Sequence, residues 1–329
     1  MKGNGKVFAL SFIISFLIFS AVGVGGSMLL QKTEEVQIFG ETKDTLKEDL
    51  KLDFLVDADS EFYEAFQDAN RVNLLLLGVN GGLTDTIMVG SFDMDAKHLD
   101  LISIPRDTYY PRKGYVGAAE YKLNAAYNDR PINTARAVSE ILQGMPLHYY
   151  AVVGYDGIES IVDSMGGVPM NVEFHMRYTD PTDKPPLVID IPAGEQVLDG
   201  EHAVQFLRYR KGYREGDIGR IKAQQEFMKS AFKQMLGFDL PKVAKTVYKN
   251  VDSDITLNMT LKLAAKAVGM TSEDMETYLM PATYQNEAPW YVYPDEAGIE
   301  DMIRTIYCLD CTSTDPDHET GGIENTEQE

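Results

Sequence analysis

The segment FLRYRKGYREGDIGRIKAQQ, residues 206–225, concentrates side chains that bind anions. The chain as a whole is acidic, with 30 Lys and Arg against 51 Asp and Glu and a formal net charge of −21 over 329 residues. General nucleic-acid binding needs a broad basic surface, which this composition excludes. A basic cluster within an acidic chain indicates a focused site for a small anion. Its members are Arg208, Arg210, Lys211, Arg214, Arg220 and Lys222.

The spacing of these residues suits a phosphate or pyrophosphate ligand. If the chain near Arg208 and Arg210 is extended, both side chains point to the same side. If a helix begins at Asp217, Arg220 and Gln224 lie one turn apart on one face. Guanidinium groups bind phosphate oxygens in pairs, and a helix start adds backbone N–H groups and partial positive charge. The solvated face of a surface helix would have the same composition, so that interpretation stays open.

A second group of polar residues lies at the ends of predicted strands, where α/β folds present their ligand contacts. Arg106 follows a strand in SIPRDTYY, Asp85 precedes one in TDT, and Lys122 stands in YKLNAAYN. No motif for an activated serine, a P-loop or a zinc protease is present, and the five histidines have no metal-ligand spacing. Each residue could also be an ordinary turn or surface residue.

The elements that would position these residues are strands interleaved with helices. The apolar run RVNLLLLGV, residues 71–79, is typical of a buried strand, and two further strands are predicted at 86–93 and 98–104. Helices are predicted at 133–145, with Asn133 as the cap, and then at 155–167, 201–208, from Asp217 onward, 240–250 and 259–270, with a short strand at 290–294. This alternation predicts an α/β/α layered domain.

The N-terminus predicts a membrane anchor. Residues 1–6 carry Lys2 and Lys6, and 7–30 is an uncharged run that is long enough to cross a bilayer, which takes about 20 residues. The lysines place the N-terminus inside and the remainder outside the cell membrane, as a single-pass protein with an extracellular C-terminal domain. A cleaved signal peptide is the alternative.

The remaining chain divides into an acidic linker at 31–69, a domain at 70–310 and an acidic tail at 311–329 that is predicted to be disordered. Cys308 and Cys311 are the two cysteines. Their CLDC spacing lacks the further ligands of a zinc site, so it indicates a local disulfide or two idle thiols.

Several ordered blocks resemble the LytR-CpsA-Psr family of membrane-anchored envelope enzymes. The resemblance runs from about Arg71 to Leu236 and continues more weakly to about Arg304. Its blocks are NLLLLGVN, TDTIMVGSFD, LDLISIPRDTYY, YKLNAAYN and FLRYRKGYREGDIGRIKAQQ. It implies an α/β/α domain with a central mixed sheet that holds a polyprenyl-pyrophosphate lipid. It also implies transfer of a lipid-linked glycopolymer, such as teichoic acid or capsule, to a peptidoglycan sugar hydroxyl.

The resemblance also implies roles for single residues. Arg106 matches an essential arginine, and Asp85 matches a carboxylate that binds magnesium or manganese. The pyrophosphate-binding residues it implies are Arg208, Arg210, Arg220, Gln224 and Lys122.

Two positions depart from the family pattern. Asn80 stands where an Asp is frequent, and Leu83 stands where an Arg is usual. Asn80 could still ligate the metal through its carbonyl oxygen, although it brings no charge. A non-catalytic lipid binder or envelope regulator, and more weakly a lipid-pyrophosphate hydrolase, are therefore the alternatives to a transferase.

Overall fold

A computed structural model of the chain describes residues 56–80, 82–181, 186–236 and 246–309. The predicted anchor at 7–30 and the predicted tail at 311–329 lie outside the described residues. Within those residues, no helix combines the length and apolar character needed to cross a membrane.

A six-stranded mixed sheet forms the centre of the domain. Its strands are β1 Arg71–Asn80, β2 Leu83–Asp93, β3 His98–Ile104, β4 Tyr149–Val153, β9 Val251–Ser253 and β10 Met275–Leu279. They lie in the order β10-β3-β2-β1-β4-β9. Strand β2 pairs antiparallel with β1 and with β3, whereas β4 is parallel to β1 and β10 is parallel to β3. The predicted first three strands and the mixed sheet are confirmed.

Helices cover both faces of this sheet, which explains the apolar run in β1. Leu74 and Leu76 pack into one core layer, while Leu75 and Leu77 pack into the other, because successive side chains in a strand point to opposite faces. One layer holds α2 Tyr155–Ser164, α3 Gly200–Arg208, α4 Asp217–Leu236 and α5 Leu257–Lys266, and the other holds α1 Pro131–Ile141 and α6 Glu296–Ile306. The predicted α/β/α arrangement is confirmed.

Helix α1 begins earlier than predicted. Pro131 occupies its first turn and Arg130 is the residue before it, so Asn133 is not the cap. Proline suits the first helical position because its missing N–H has no partner there in any case. The amide of Asn133 instead donates to the Tyr127 carbonyl at 3.2 Å.

Three small antiparallel pairs were not predicted. They are β5 Val168–Val172 with β8 Gly194–Leu198, β6 Met176–Asp180 with β7 Leu187–Ile191, and β11 Ala282–Tyr284 with β12 Val292–Pro294. Strand β12 lies within the short strand predicted at 290–294. The inward residues of β5 and β7 alternate with exposed ones, and they extend the core layer that contains α3 and α4.

The last part of the predicted linker at 31–69 packs against the domain. Phe62 and Phe66 are buried, and the ring of Phe66 meets that of Tyr307 edge-on at 5.1 Å. Glu61 forms an ion pair with Arg304 of α6. The domain therefore includes the chain from at least residue 56. Cys308, just after α6, is disulfide-bonded, as the first of the two cysteine interpretations predicted.

Candidate anion-binding site

The ends of β2 and β3 bring Asp85 and Arg106 together. Ile87 of β2 pairs with Ile104 of β3. Asp85 stands two residues before Ile87, and Arg106 stands two residues after Ile104. Both residues therefore lie at the same edge of the sheet. Arg106 Nη1 donates to Asp85 Oδ1 at 2.5 Å. This is the type of juxtaposition that the strand ends predicted.

Asp85 is positioned by a β-bulge. Gly78 pairs with Thr86, and Val79 pairs with Thr84, so Asp85 is left without a register partner in β1. A bulge redirects the side chain of the extra residue and is frequent beside functional sites. The Asp85 carboxylate is buried, although it lies only two residues from the exposed first residue of β2, Leu83.

Helix α4 supplies the opposite wall of the same cleft. Arg220 and Gln224 lie one turn apart, both are buried, and they line the cleft together with Asp85 and Arg106. Gln224 Nε2 donates to the Leu207 carbonyl at 3.3 Å, which fixes its amide. The predicted common face for this pair is thus observed, and it faces inward instead of toward solvent.

Arg208 and Arg210 are placed differently from the extended arrangement considered from the sequence. Arg208 is the last residue of α3, and the chain becomes extended only at Tyr209. The Arg208 guanidinium lies 4.4 Å from the centre of the Tyr155 ring, a cation–π geometry. Arg210 is close enough to Asp85 for its charge to lower the pKa of that carboxyl.

Lys122 joins the site through a neighbour of Arg106. Its Nζ lies 3.1 Å from Asp107 Oδ1, and Arg106 Nε lies 3.8 Å from the same oxygen. Asp107, which follows Arg106 directly after β3 as the sequence indicated, thereby connects two of the predicted cations. Tyr155 was not predicted, although it begins α2 just after β4, which ends at the same sheet edge.

The site carries an excess of positive charge around the buried carboxylate of Asp85. Burial raises the pKa of Asp85 from 3.8 to about 7, although Arg106, Arg210 and Arg220 each pull it down. Three guanidinium groups therefore surround one acid that is itself only partly ionised near neutral pH. An anion with several oxygens would relieve this imbalance, because arginine binds phosphate oxygens through paired hydrogen bonds.

The shifted pKa of Asp85 predicts how stability depends on pH. Between about pH 4 and pH 7 the Asp85 carboxyl is ionised in the unfolded chain but keeps its proton in the folded protein. Rising pH therefore favours unfolding across this window, and the effect ends above the pKa of the folded state. In protein free of metal and lipid, the melting temperature of Asp85→Asn minus that of wild type should therefore rise across this window and then level off. A difference that does not change with pH would contradict the shift.

Comparisons with known proteins decide the family. The sequence profile of the LytR-CpsA-Psr family matches residues 32–306. The chain belongs to the LytR-CpsA-Psr family. Among its relatives is the polyisoprenyl-teichoic acid–peptidoglycan teichoic acid transferase TagV of Bacillus subtilis, 27% identical over 82% of this chain and 76% of TagV. Another is the regulatory protein MsrR of Staphylococcus aureus, 31% identical over 59% of this chain and 60% of MsrR.

Solved structures of LytR-CpsA-Psr proteins share the fold. The crystal structure of B. subtilis TagV superposes with a TM-score of 0.60 at 25% identity, covering 72% of this chain and 96% of TagV. A structure of TagT bound to LI-WTA has a TM-score of 0.57 at 20% identity, covering 74% of this chain and 91% of TagT. The mixed sheet with its helical layers is therefore the fold of this family.

The donor set at this site fits a magnesium ion only together with an anionic ligand. Asp85 offers hard carboxylate oxygens, but one of them accepts from Arg106, and two further guanidinium charges are close. Asn80 ends β1 opposite Leu83, and its side chain lies outside what the structure describes. Mg²⁺ is commonly held by one or two carboxylates plus substrate phosphates. Phosphate oxygens would therefore have to supply most of the remaining ligands.

Proposed function

We propose that the protein is a phosphotransferase that moves a glycopolymer from a polyprenyl-pyrophosphate lipid to a sugar hydroxyl of peptidoglycan. The observation that carries this proposal is the convergence of Arg106, Arg210 and Arg220 on Asp85 at one edge of the sheet. Phosphoryl transfer depends mainly on positioning and on neutralising charge, which such a site supplies. The names of the TagV and TagU relatives, both teichoic acid transferases, support the same class of reaction.

The chain's own residues divide the work in this proposal. Arg208 and Arg210 bind the pyrophosphate from the end of α3, while Arg220 and Gln224 bind it from α4. Arg106 faces the phosphorus that is attacked and stabilises the charge that develops on its oxygens.

The acceptor hydroxyl oxygen forms a bond to this phosphorus, and the bond from phosphorus to the bridging oxygen breaks. Polyprenyl phosphate leaves with the bridging oxygen, and the proton of the acceptor hydroxyl passes to this leaving phosphate. Lys122 positions the loop that carries Arg106 through Asp107. A Mg²⁺ or Mn²⁺ ion held by Asp85, with Asn80 as a further oxygen ligand, would supply additional positive charge to the pyrophosphate.

A non-catalytic lipid binder or envelope regulator is the second candidate. Asp85 is engaged by Arg106 and has a pKa near neutrality, both of which weaken it as a metal ligand. The relative MsrR is named a regulatory protein. Such a protein would need the arginines but neither the metal nor an acceptor.

One reconstitution separates these functions. Full-length protein in detergent is incubated with a lipid-linked glycopolymer and peptidoglycan fragments, with Mg²⁺ or with a chelator. A transferase yields polymer joined to peptidoglycan plus polyprenyl phosphate, and the yield falls with the chelator. Release of polymer phosphate without the acceptor would indicate a lipid-pyrophosphate hydrolase. Tight lipid binding without any product would support the regulator.

We also propose that the protein is anchored in the cell membrane by residues 7–30, with its C-terminal domain extracellular. The uncharged run behind Lys2 and Lys6 supports this. The full-length protein should then stay in the membrane fraction through high-salt and alkaline washes. Recovery of a mature soluble form that begins near residue 28 would contradict the anchor and favour a cleaved signal peptide.

A further inference from the structure

A second group of polar residues lies at the opposite end of β3 from the anion site. His98 and Asp100 stand at the start of this strand, and Glu276 of the neighbouring β10 pairs in register with Asp100. One ligand atom from each of the three residues lies within 4.8 Å of the other two. Asp100 is six residues from Arg106, about 20 Å along an extended strand. The group is therefore separate from the anion site.

The carboxylate of Asp100 is held in a fixed orientation. The residue is 2% exposed, and its Oδ2 accepts from Arg71 Nη1 at 3.1 Å. Its other oxygen, Oδ1, faces His98 Nε2 at 3.2 Å. Glu276 in turn is hydrogen-bonded by the side chain of Tyr278. Carboxylates that ligate metals are generally oriented by outer partners of this kind.

The charges in this group suit a divalent cation. Arg71 makes a second ion pair with Asp93 at 3.0 Å, so Asp93 offsets its positive charge. Asp100 and Glu276 then leave two negative charges beside an imidazole. A buried Arg–Asp pair would account for Arg71 and Asp100 alone. It does not account for the imidazole nitrogen at the other oxygen of Asp100, or for the second carboxylate, that of Glu276, within 4.8 Å.

We propose that His98, Asp100 and Glu276 bind a divalent transition-metal ion, and that Zn²⁺ binds better there than Mg²⁺. One imidazole nitrogen and two carboxylate oxygens form a donor set that Zn²⁺ accepts, whereas Mg²⁺ prefers oxygen ligands alone. His98 is half-buried and Glu276 is exposed, so water can complete the coordination from the outer side. The ion would connect β10, the outermost strand on this side of the sheet, to β3.

Binding of this ion should stabilise the folded protein, because a ligand that binds only the folded state raises its stability by mass action. We expect Zn²⁺ to raise the melting temperature of full-length protein that has been stripped of metal, whereas Mg²⁺ at the same concentration should have little effect. Calorimetric titration should find one Zn²⁺ bound per chain at this site. Neither measurement depends on the proposed transferase activity.

Variants locate the ion. His98→Ala and Glu276→Gln should each lower Zn²⁺ affinity by at least about tenfold. Glu276 is exposed, so Glu276→Gln should fold normally even if His98→Ala does not. His175→Ala is the matched control. His175 also pairs with an aspartate, Asp190, at 2.5 Å, but this pair belongs to no three-ligand group among the described residues.

The comparison can overturn the proposal in two ways. If Zn²⁺ affinity is the same in wild type and Glu276→Gln, the ion binds elsewhere or only adventitiously. If His175→Ala loses as much affinity as His98→Ala, the effect is a general one of surface histidines. Asp85→Asn should leave Zn²⁺ affinity unchanged, which separates this group from the anion site.

Discussion

Arg106→Ala is expected to reduce glycopolymer transfer by about 100-fold or more, the cost typical of removing one positioned donor to developing charge. Arg106 donates to Asp85 and lines the same cleft as Arg220 and Gln224. The loss should appear mainly in kcat, because the interaction strengthens as charge develops on the transferred group.

The replacement by lysine tests why an arginine is needed. Arg106→Lys keeps the charge but loses the planar fork that binds two oxygens at once. It should therefore recover only part of the activity. Arg112→Ala serves as the control, since Arg112 lies in the segment after β3 and stacks on the Tyr115 ring at 4.2 Å. If Arg106→Ala transfers polymer as fast as Arg112→Ala and wild type, Arg106 has no role in the reaction.

The parts of the fold that could be predicted are those that local patterns determine. The run of four leucines in β1 requires apolar neighbours on both faces of the strand, and the helical layers provide them. The pairings β5–β8 and β6–β7 could not be predicted, because each joins short strands whose register depends on packing against α3 and α4. The packing of Phe62 and Phe66 into the domain could not be predicted for a similar reason. Phe66 meets Tyr307, which is distant in sequence, and Phe62 stacks on Phe66.

In the site, the residues involved could be predicted from the sequence, but their surroundings could not. The helical spacing of Arg220 and Gln224 correctly predicted that they share a face. It could not predict that this face points into a cleft beside Asp85, because that depends on how α4 packs against the sheet. The β-bulge at Asp85 has no signature in TDT, yet it sets the direction of the carboxylate. The raised pKa of Asp85 follows from this buried position, so it also could not be predicted from the sequence.

Arg220→Met is expected to weaken binding of a polyprenyl-pyrophosphate lipid by about tenfold or more, while the ligand-free protein still folds. A hydrogen bond to a charged group contributes about 1.5–3 kcal/mol, and about 1.4 kcal/mol corresponds to tenfold in affinity. Arg220 is only 1% exposed, so the methionine fills a similar buried volume with apolar atoms.

A control variant separates the position of Arg220 in the cleft from the overall charge of the protein. Lys222→Met is the matched control, because it removes a positive charge from the same helix at an exposed position where Lys222 pairs with Glu215 at 2.6 Å. Lipid affinity is measured by calorimetry, and stability by the melting temperature without ligand. If Lys222→Met loses as much affinity as Arg220→Met, the lipid responds only to overall charge. If Arg220→Met binds as wild type does, the buried arginine is not part of the pyrophosphate site.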